Sequence, residues 1–269
     1  MLLKNKVAVI DGAGGAVGCA VATAFAKEGA KVFLAGRTGA KVEGVAHKIL
    51  ADGGVAEPAE VDALDEALIA KHLDETVGKA GGIDISFNAT GVPTSVVAER
   101  GMQGVPLPDI SVESFMLPIT TYTRSHFLTG RAPARRMAHA KRSGVILMHT
   151  PEPARAGFPM LGGMGLAWAA VEAICRSFSA EFASFGIRCA RLRTTGLPET
   201  ETIQILFATH AKILGISSDN FRKMMEGTAH TRRSTTLQEL TNAAVFLASD
   251  LAAGMTGTVA NLTGGKVSD

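Results

Sequence analysis

The chain has 269 residues, of which 46% are hydrophobic, which suits one large α/β domain with a substantial core. Its 27 basic and 25 acidic residues are interspersed and leave a net charge of +2, so the balance offers no footprint for nucleic acid or an anionic membrane surface. The densest basic run, Arg131, Arg135, Arg136, Lys141 and Arg142, falls at the end of an expected helix, where cations suit the C-terminal dipole.

The three cysteines, Cys19, Cys175 and Cys189, form no CxxC or Cys/His pattern. No metal site and no disulfide framework is expected, which fits a reducing, cytoplasmic setting. The first residues carry no apolar signal-peptide core. No apolar run reaches the roughly 18 residues of a membrane span.

In chain order, the β-branched run Lys6 to Ile10 predicts a strand that enters a glycine cluster. Val17, Val21 and Phe25 have helical spacing, so Val17 to Glu28 reads as a helix stopped by Gly29. Lys31 to Leu34 is the second strand, Val42 to Ala51 a helix, and a short strand precedes Asp62. Asp65 caps a helix running to about Ala80, and Ile83 to Phe87 is the fourth strand. Gly91 to Pro118 is loop-rich, with four prolines among residues 93 to 118. A long helix, beginning at Ser111 or Ile119, runs to Ala140 despite Pro133. The rest reads as strand Gly144 to Met148, helix Gly165 to Ser184, strand Ile187 to Leu192, a helical insertion over 199–235, helix Leu237 to Ala248 and strand Thr258 to Leu262. Such alternation predicts a single domain over 1–269. The fold class is α/β, doubly wound (Rossmann-type), with a mostly parallel sheet of roughly seven strands and helices on both faces.

Val7 to Gly18 is a strand that runs into a glycine-rich turn and opens a helix. Glycines let a diphosphate approach the backbone, and the helix start offers unpaired N–H groups. The segment Asp11-Gly-Ala-Gly-Gly-Ala-Val-Gly18 resembles the Thr-Gly-x-x-x-Gly-x-Gly turn of the short-chain dehydrogenase/reductase family. Gly12 and Gly18 match; Asp11 replaces the threonine and Ala16 the middle glycine. Asp11 brings a negative charge near the diphosphate, and Ala16 brings a methyl. Asn88-Ala-Thr-Gly91 resembles the family's Asn-Asn-Ala-Gly turn. Ala244 to Asp250 and Met255 to Gly265 are similar to its closing helix and strand. The resemblance covers nearly the whole chain.

It implies a nicotinamide cofactor held by Gly12, Gly14, Gly15, Val17, Gly18, Arg37, Asp62, Asn88, Gly91 and Thr200. Asp62 matches the aspartate that meets the adenine, and Thr200 the threonine that meets the carboxamide. Gly36 stands where an acid would take the ribose of NAD, and Arg37 suits a 2′-phosphate, so NADP is expected over NAD. The resemblance also implies a small-molecule substrate, a mobile lid over 199–235, whose Phe207, Phe221, Met224 and Met225 read as core packing before a pocket wall, and a homodimer or homotetramer. Subunits would pair through the two long helices, where Leu166, Ala169, Ala170, Ala173 and Phe178 offer apolar surface either to a partner or to the sheet.

The family's chemistry is absent. Its Tyr-x-x-x-Lys signature cannot exist here, because the one tyrosine, Tyr122, is followed four residues later by His126. The tyrosine position falls on Met164, the lysine on Trp168, the serine on Pro151 (Thr150 if the register slips by one) and the asparagine on Tyr122. A thioether donates no proton, and an indole carries no charge to depress a neighbour's pKa. Tyr122 and His149 are the substitute catalytic candidates, both expected at the C-terminal edge of the sheet. His126, His139, His210 and His230 read as structural or surface residues. The function expected is therefore an oxidoreductase-like dinucleotide-binding protein in which standard carbonyl reduction is doubtful. The alternatives are a non-redox dehydratase or cyclase on the same fold, or an inactive subunit partnering an active paralogue.

Overall fold

The computed structural model describes residues 1–268. Seven parallel strands form one sheet in the order β3-β2-β1-β4-β5-β6-β7. They are β1 Val7–Asp11, β2 Lys31–Gly36, β3 Val55–Glu60, β4 Ile85–Asn88, β5 Gly144–Pro151, β6 Ile187–Thr194 and β7 Val259–Leu262. β1 is buried along its whole length, as expected of a parallel strand covered on both faces. Ala8 and Ile10 face one layer and Val7 and Val9 the other.

The first layer is built by α1 Ala16–Lys27, α2 Gly39–Ala51 and α9 Leu237–Ala248. The second is built by α3 Glu66–Ala80, α5 Val112–His139 and α6 Met164–Phe182. Asp65 caps α3 as its sequence predicts, accepting from the Ala67 and Leu68 amides. Ser111, the earlier of the two expected starts, caps α5 through the Ser114 amide.

α5 tolerates two internal prolines, Pro118 and Pro133. A proline at 133 cannot donate to the Thr129 carbonyl one turn back. That carbonyl instead accepts from Ser86 Oγ on β4 at 3.2 Å, so the proline turns a helix carbonyl into a tie to the sheet. α5 and α6 lie close: a Cβ on Gly130 would meet Phe178 Cε2 at 2.3 Å. Of the two places open to Phe178, interface or core, it takes the core, because the glycine opposite leaves room for its ring. Leu166 is exposed, as an intersubunit surface would require.

One helix lay hidden in the proline-rich segment, and the inserted segment is helical as expected. α4 Thr94–Glu99 follows Pro93 inside the expected loop. α7 Glu201–Ile213 and α8 Ser218–Gly227 form the insertion. Phe207 and Phe221 pack together there at 5.3 Å, with His210 stacked on Phe221 at 5.9 Å. Met224 is exposed. No helix among the described residues is long and apolar enough to cross a membrane.

Candidate active site

The strand order reverses between β1 and β4, and the crevice outside their C-terminal ends is where α/β sheets take ligands. The turn after β1 fills this point. Gly12 has φ of +76°, and a Cβ there would strike the Ala89 carbonyl at 2.7 Å, so only glycine fits. A Cβ on Gly18 would sit 2.4 Å from the Gly12 carbonyl, which lets α1 begin flush against the turn. α1 has no side-chain cap, so its first N–H groups remain available to an anion. Gly15 and Ala16 are exposed, so the Ala16 methyl lies on the open side. On the adjoining β4 loop, the Thr90 hydroxyl is buried without a partner.

Arg37 is exposed just past β2. Beside it is a residue that sequence reasoning passed over: Glu60, at the end of β3 and in register with Gly36. Glu60 Oε2 accepts from the Gly39 amide at the start of α2, at 3.1 Å. Its signal was an acid at a strand end, two residues before Asp62. Asp62 itself accepts from the Leu64 amide at 2.9 Å. Asn88 is spent on structure: its Nδ2 donates to Thr129 Oγ1 and its Oδ1 accepts from the Thr90 amide. Thr200 caps α7 and donates to the Leu197 carbonyl at 2.8 Å.

The other half of the crevice is apolar. Met164 and Trp168, on the first turns of α6, are buried with Val97, Met102 and Ala154, and Tyr122 packs against them. Trp168 meets the Tyr122 ring edge-on at 6.2 Å. The Tyr122 hydroxyl lies against Gly91, 3.3 Å from where a Cβ would stand. Burial pushes the phenol's pKa up, and the Trp168 indole N–H and the Val92 amide, both approaching its oxygen, offset part of the rise. Tyr122 is thus a neutral phenol near pH 7.

The two substitute candidates are not hydrogen-bonded to each other. His149 Nε2 pairs with Thr194 Oγ1 at 2.9 Å, and burial holds its pKa down to about 4. His126, set aside in the sequence as a structural or surface residue, packs on Tyr122. Its ring stacks on Tyr122 at 5.8 Å, and it is held to about 4 by burial, with His149 adding to the depression. Both imidazoles are neutral at pH 7.

Deeper on this side is a buried charge cluster that the sequence concealed. Glu172 on α6 takes Arg193 Nε at 2.8 Å and Nη2 at 2.9 Å, Thr150 Oγ1 at 3.3 Å, and Arg191 Nε within 3.6 Å. Glu152, just past β5, is met by Lys266 from the C-terminal segment at 2.7 Å. Charged residues inside strand β6 would ordinarily count against a buried strand. They are tolerated because α6 supplies the carboxylate.

A family model described as enoyl-(acyl carrier protein) reductase matches residues 12–266. An uncharacterized oxidoreductase of Bacillus subtilis is 28% identical over 98% of this chain and 91% of its own length. L-rhamnose 1-dehydrogenase (NAD(P)(+)) of Azotobacter vinelandii is 27% identical, covering 98% of each. Among solved structures, an NAD+-bound xylitol dehydrogenase superposes with a TM-score of 0.90 at 23% identity, over 98% of this chain and all of that one. At that identity it speaks for the fold.

Proposed function

Since the chain belongs to the short-chain dehydrogenase/reductase family, as the match over residues 12–266 establishes, we propose that it binds a nicotinamide dinucleotide and does not run the family's usual carbonyl reduction. The observation that carries this reading is the burial of Met164 and Trp168 in one apolar cluster at the start of α6. Neither side chain can give or stabilise a proton there. The glycine turn, by contrast, fits a diphosphate: its approach is open at Gly15, its helix start is uncapped, and the Thr90 hydroxyl lacks a partner. The backbone from Gly12 to Gly18, including Gly14, Gly15 and Val17, would hold the diphosphate. Asp62 would meet the adenine, and Gly91 and Thr200 would border the nicotinamide. Bound there, the cofactor supplies or accepts a hydride.

Gly36 and Arg37 support NADP(H) over NAD(H), since a guanidinium pairs well with a 2′-phosphate. Glu60 favours the second reading, NAD(H): its carboxylate holds the start of α2, where a 2′-phosphate would have to approach. Paired titrations decide between them. Arg37→Ala weakening NADPH alone supports the first; Glu60→Gln strengthening NADPH supports the second.

Any proton transfer at this site falls to Tyr122, the neutral phenol on α5, with His126 and His149 uncharged behind it. The surrounding Val92, Val96, Leu117, Leu161 and Leu206 suit an uncharged, apolar small molecule better than a polyol. The exposed face of α6 around Leu166 supports pairing of subunits through α5 and α6. The test of function is a hydride-transfer screen with NADPH and NADH across apolar ketones and sugars. Slow turnover that survives Tyr122→Phe unchanged would remove Tyr122 from the chemistry, and brisk reduction of either ketones or sugars would overturn the reading.

A further inference from the structure

Asp11 is the last residue of β1, one position before the Gly12 turn, and its side chain is buried. In register beside it are Ala35 on β2 and Asn88 on β4, both uncharged. From α5 the same face receives Thr129, already bonded to Asn88. Asp62, from the loop after β3, bonds the Leu64 amide. Tyr122 and His126 on α5 are neutral near pH 7. No cation pairs with Asp11 among the described residues, and burial alone raises its pKa to about 7.

A carboxylate in that position cannot be compensated from within the fold. A diphosphate seated on the turn adds charge of the same sign within a poorly screened space, and like charges favour the protonated acid. We infer that Asp11 takes up a proton from solvent when the glycine turn takes a diphosphate, so that dinucleotide binding by this chain is linked to proton uptake and weakens as pH rises. Asp11 is here a specificity residue: it sets the charge state in which the turn accepts an anion. The inference rests on the dinucleotide reading above.

The experiment is calorimetry of NADH and NADPH binding at pH 7.5 to 8.5, in buffers of differing ionisation enthalpy, to count protons exchanged. Wild type is compared with Asp11→Asn and with Asp11→Thr. The expected result is uptake approaching one proton by the wild type, absent in both variants, and wild-type affinity falling about tenfold per pH unit above the Asp11 pKa while the variants stay flat. Comparing proteins at one pH cancels the titration of the NADPH 2′-phosphate. Equal proton counts in all three proteins would overturn this inference and leave the dinucleotide reading standing. Failure of all three to bind either dinucleotide at any pH would overturn both. A stability profile without ligand checks the variants: Asp11→Asn should raise the melting temperature at pH 8.5 and not at pH 4.

Discussion

The sheet has two halves that differ in what the chain has kept. On the β1–β3 side, the turn at Gly12 and Gly18 is so tight that a methyl at either position would enter backbone atoms. On the β5–β6 side, the start of α6 buries Met164 and Trp168 among apolar side chains, and no Tyr-x-x-x-Lys pair exists in the chain. Backing them is a buried cluster of Glu172, Arg191 and Arg193. If the proposed function holds, one fold keeps the geometry for an anion while its reactive groups are replaced, because the two depend on different things. The first is a property of backbone shape, the second of a few side chains.

The largest effect is expected at the charge cluster. Glu172→Ala removes the carboxylate that Arg191 and Arg193 share, and should cost about 3–5 kcal/mol in urea unfolding. A change below 1 kcal/mol would mean the cluster is not structural. Next is the turn: Gly18→Ala forces a Cβ against the Gly12 carbonyl and should cost about 1–3 kcal/mol, with loss of dinucleotide binding. Retained affinity would show that the turn is not the diphosphate seat.

The pH dependence of folding tests the buried titratable groups together. His72, His126 and His149 are held down to about 4 by burial. Their folded pKa values lie below the unfolded one, so their contribution is present above about 6.5 and is lost as pH falls toward 4. Asp11 has the opposite sign. Its folded pKa of about 7 lies above the unfolded value of 3.8, so its contribution is present below 3.8 and lost as pH rises through 7. Three groups outweigh one on the acid side, so stability should climb from pH 4 to about 6.5 and then stop rising. Asp11→Asn should raise stability progressively from about pH 4 and fully above pH 7, by an amount on the order of 4 kcal/mol at most. A smallest effect is expected at Arg37: its truncation should weaken NADPH by about tenfold, roughly 1.4 kcal/mol, and leave folding unchanged.

Much of the architecture was legible. Asp65 as a cap, the buried run of β1 and the glycine turn follow from local rules that need no tertiary information. The missing signature was legible too, since a chain with one tyrosine followed by His126 four residues on cannot hold Tyr-x-x-x-Lys. What stayed hidden depends on partners far apart in the chain. Glu172 and Arg193 look like surface charges until α6 is laid on β6. His126 reads as an incidental helix residue until Tyr122 stacks on it. Glu60 is an unremarked strand end until the start of α2 arrives beside it. α4 was lost among prolines because Pro93, a helix breaker in the interior, is an acceptable residue just before a helix.

The proposed function requires a working diphosphate seat beside a start of α6 that has no proton donor. Trp168 is the one tryptophan, and it sits on that border. Its emission, followed while NADPH and then NADH are added, therefore reports on both halves at once. The account requires saturable quenching by at least one of the two, without measurable turnover of simple carbonyl compounds in the same sample. No change in emission and no heat of binding would contradict it, as would rapid carbonyl reduction at the usual rates of such enzymes.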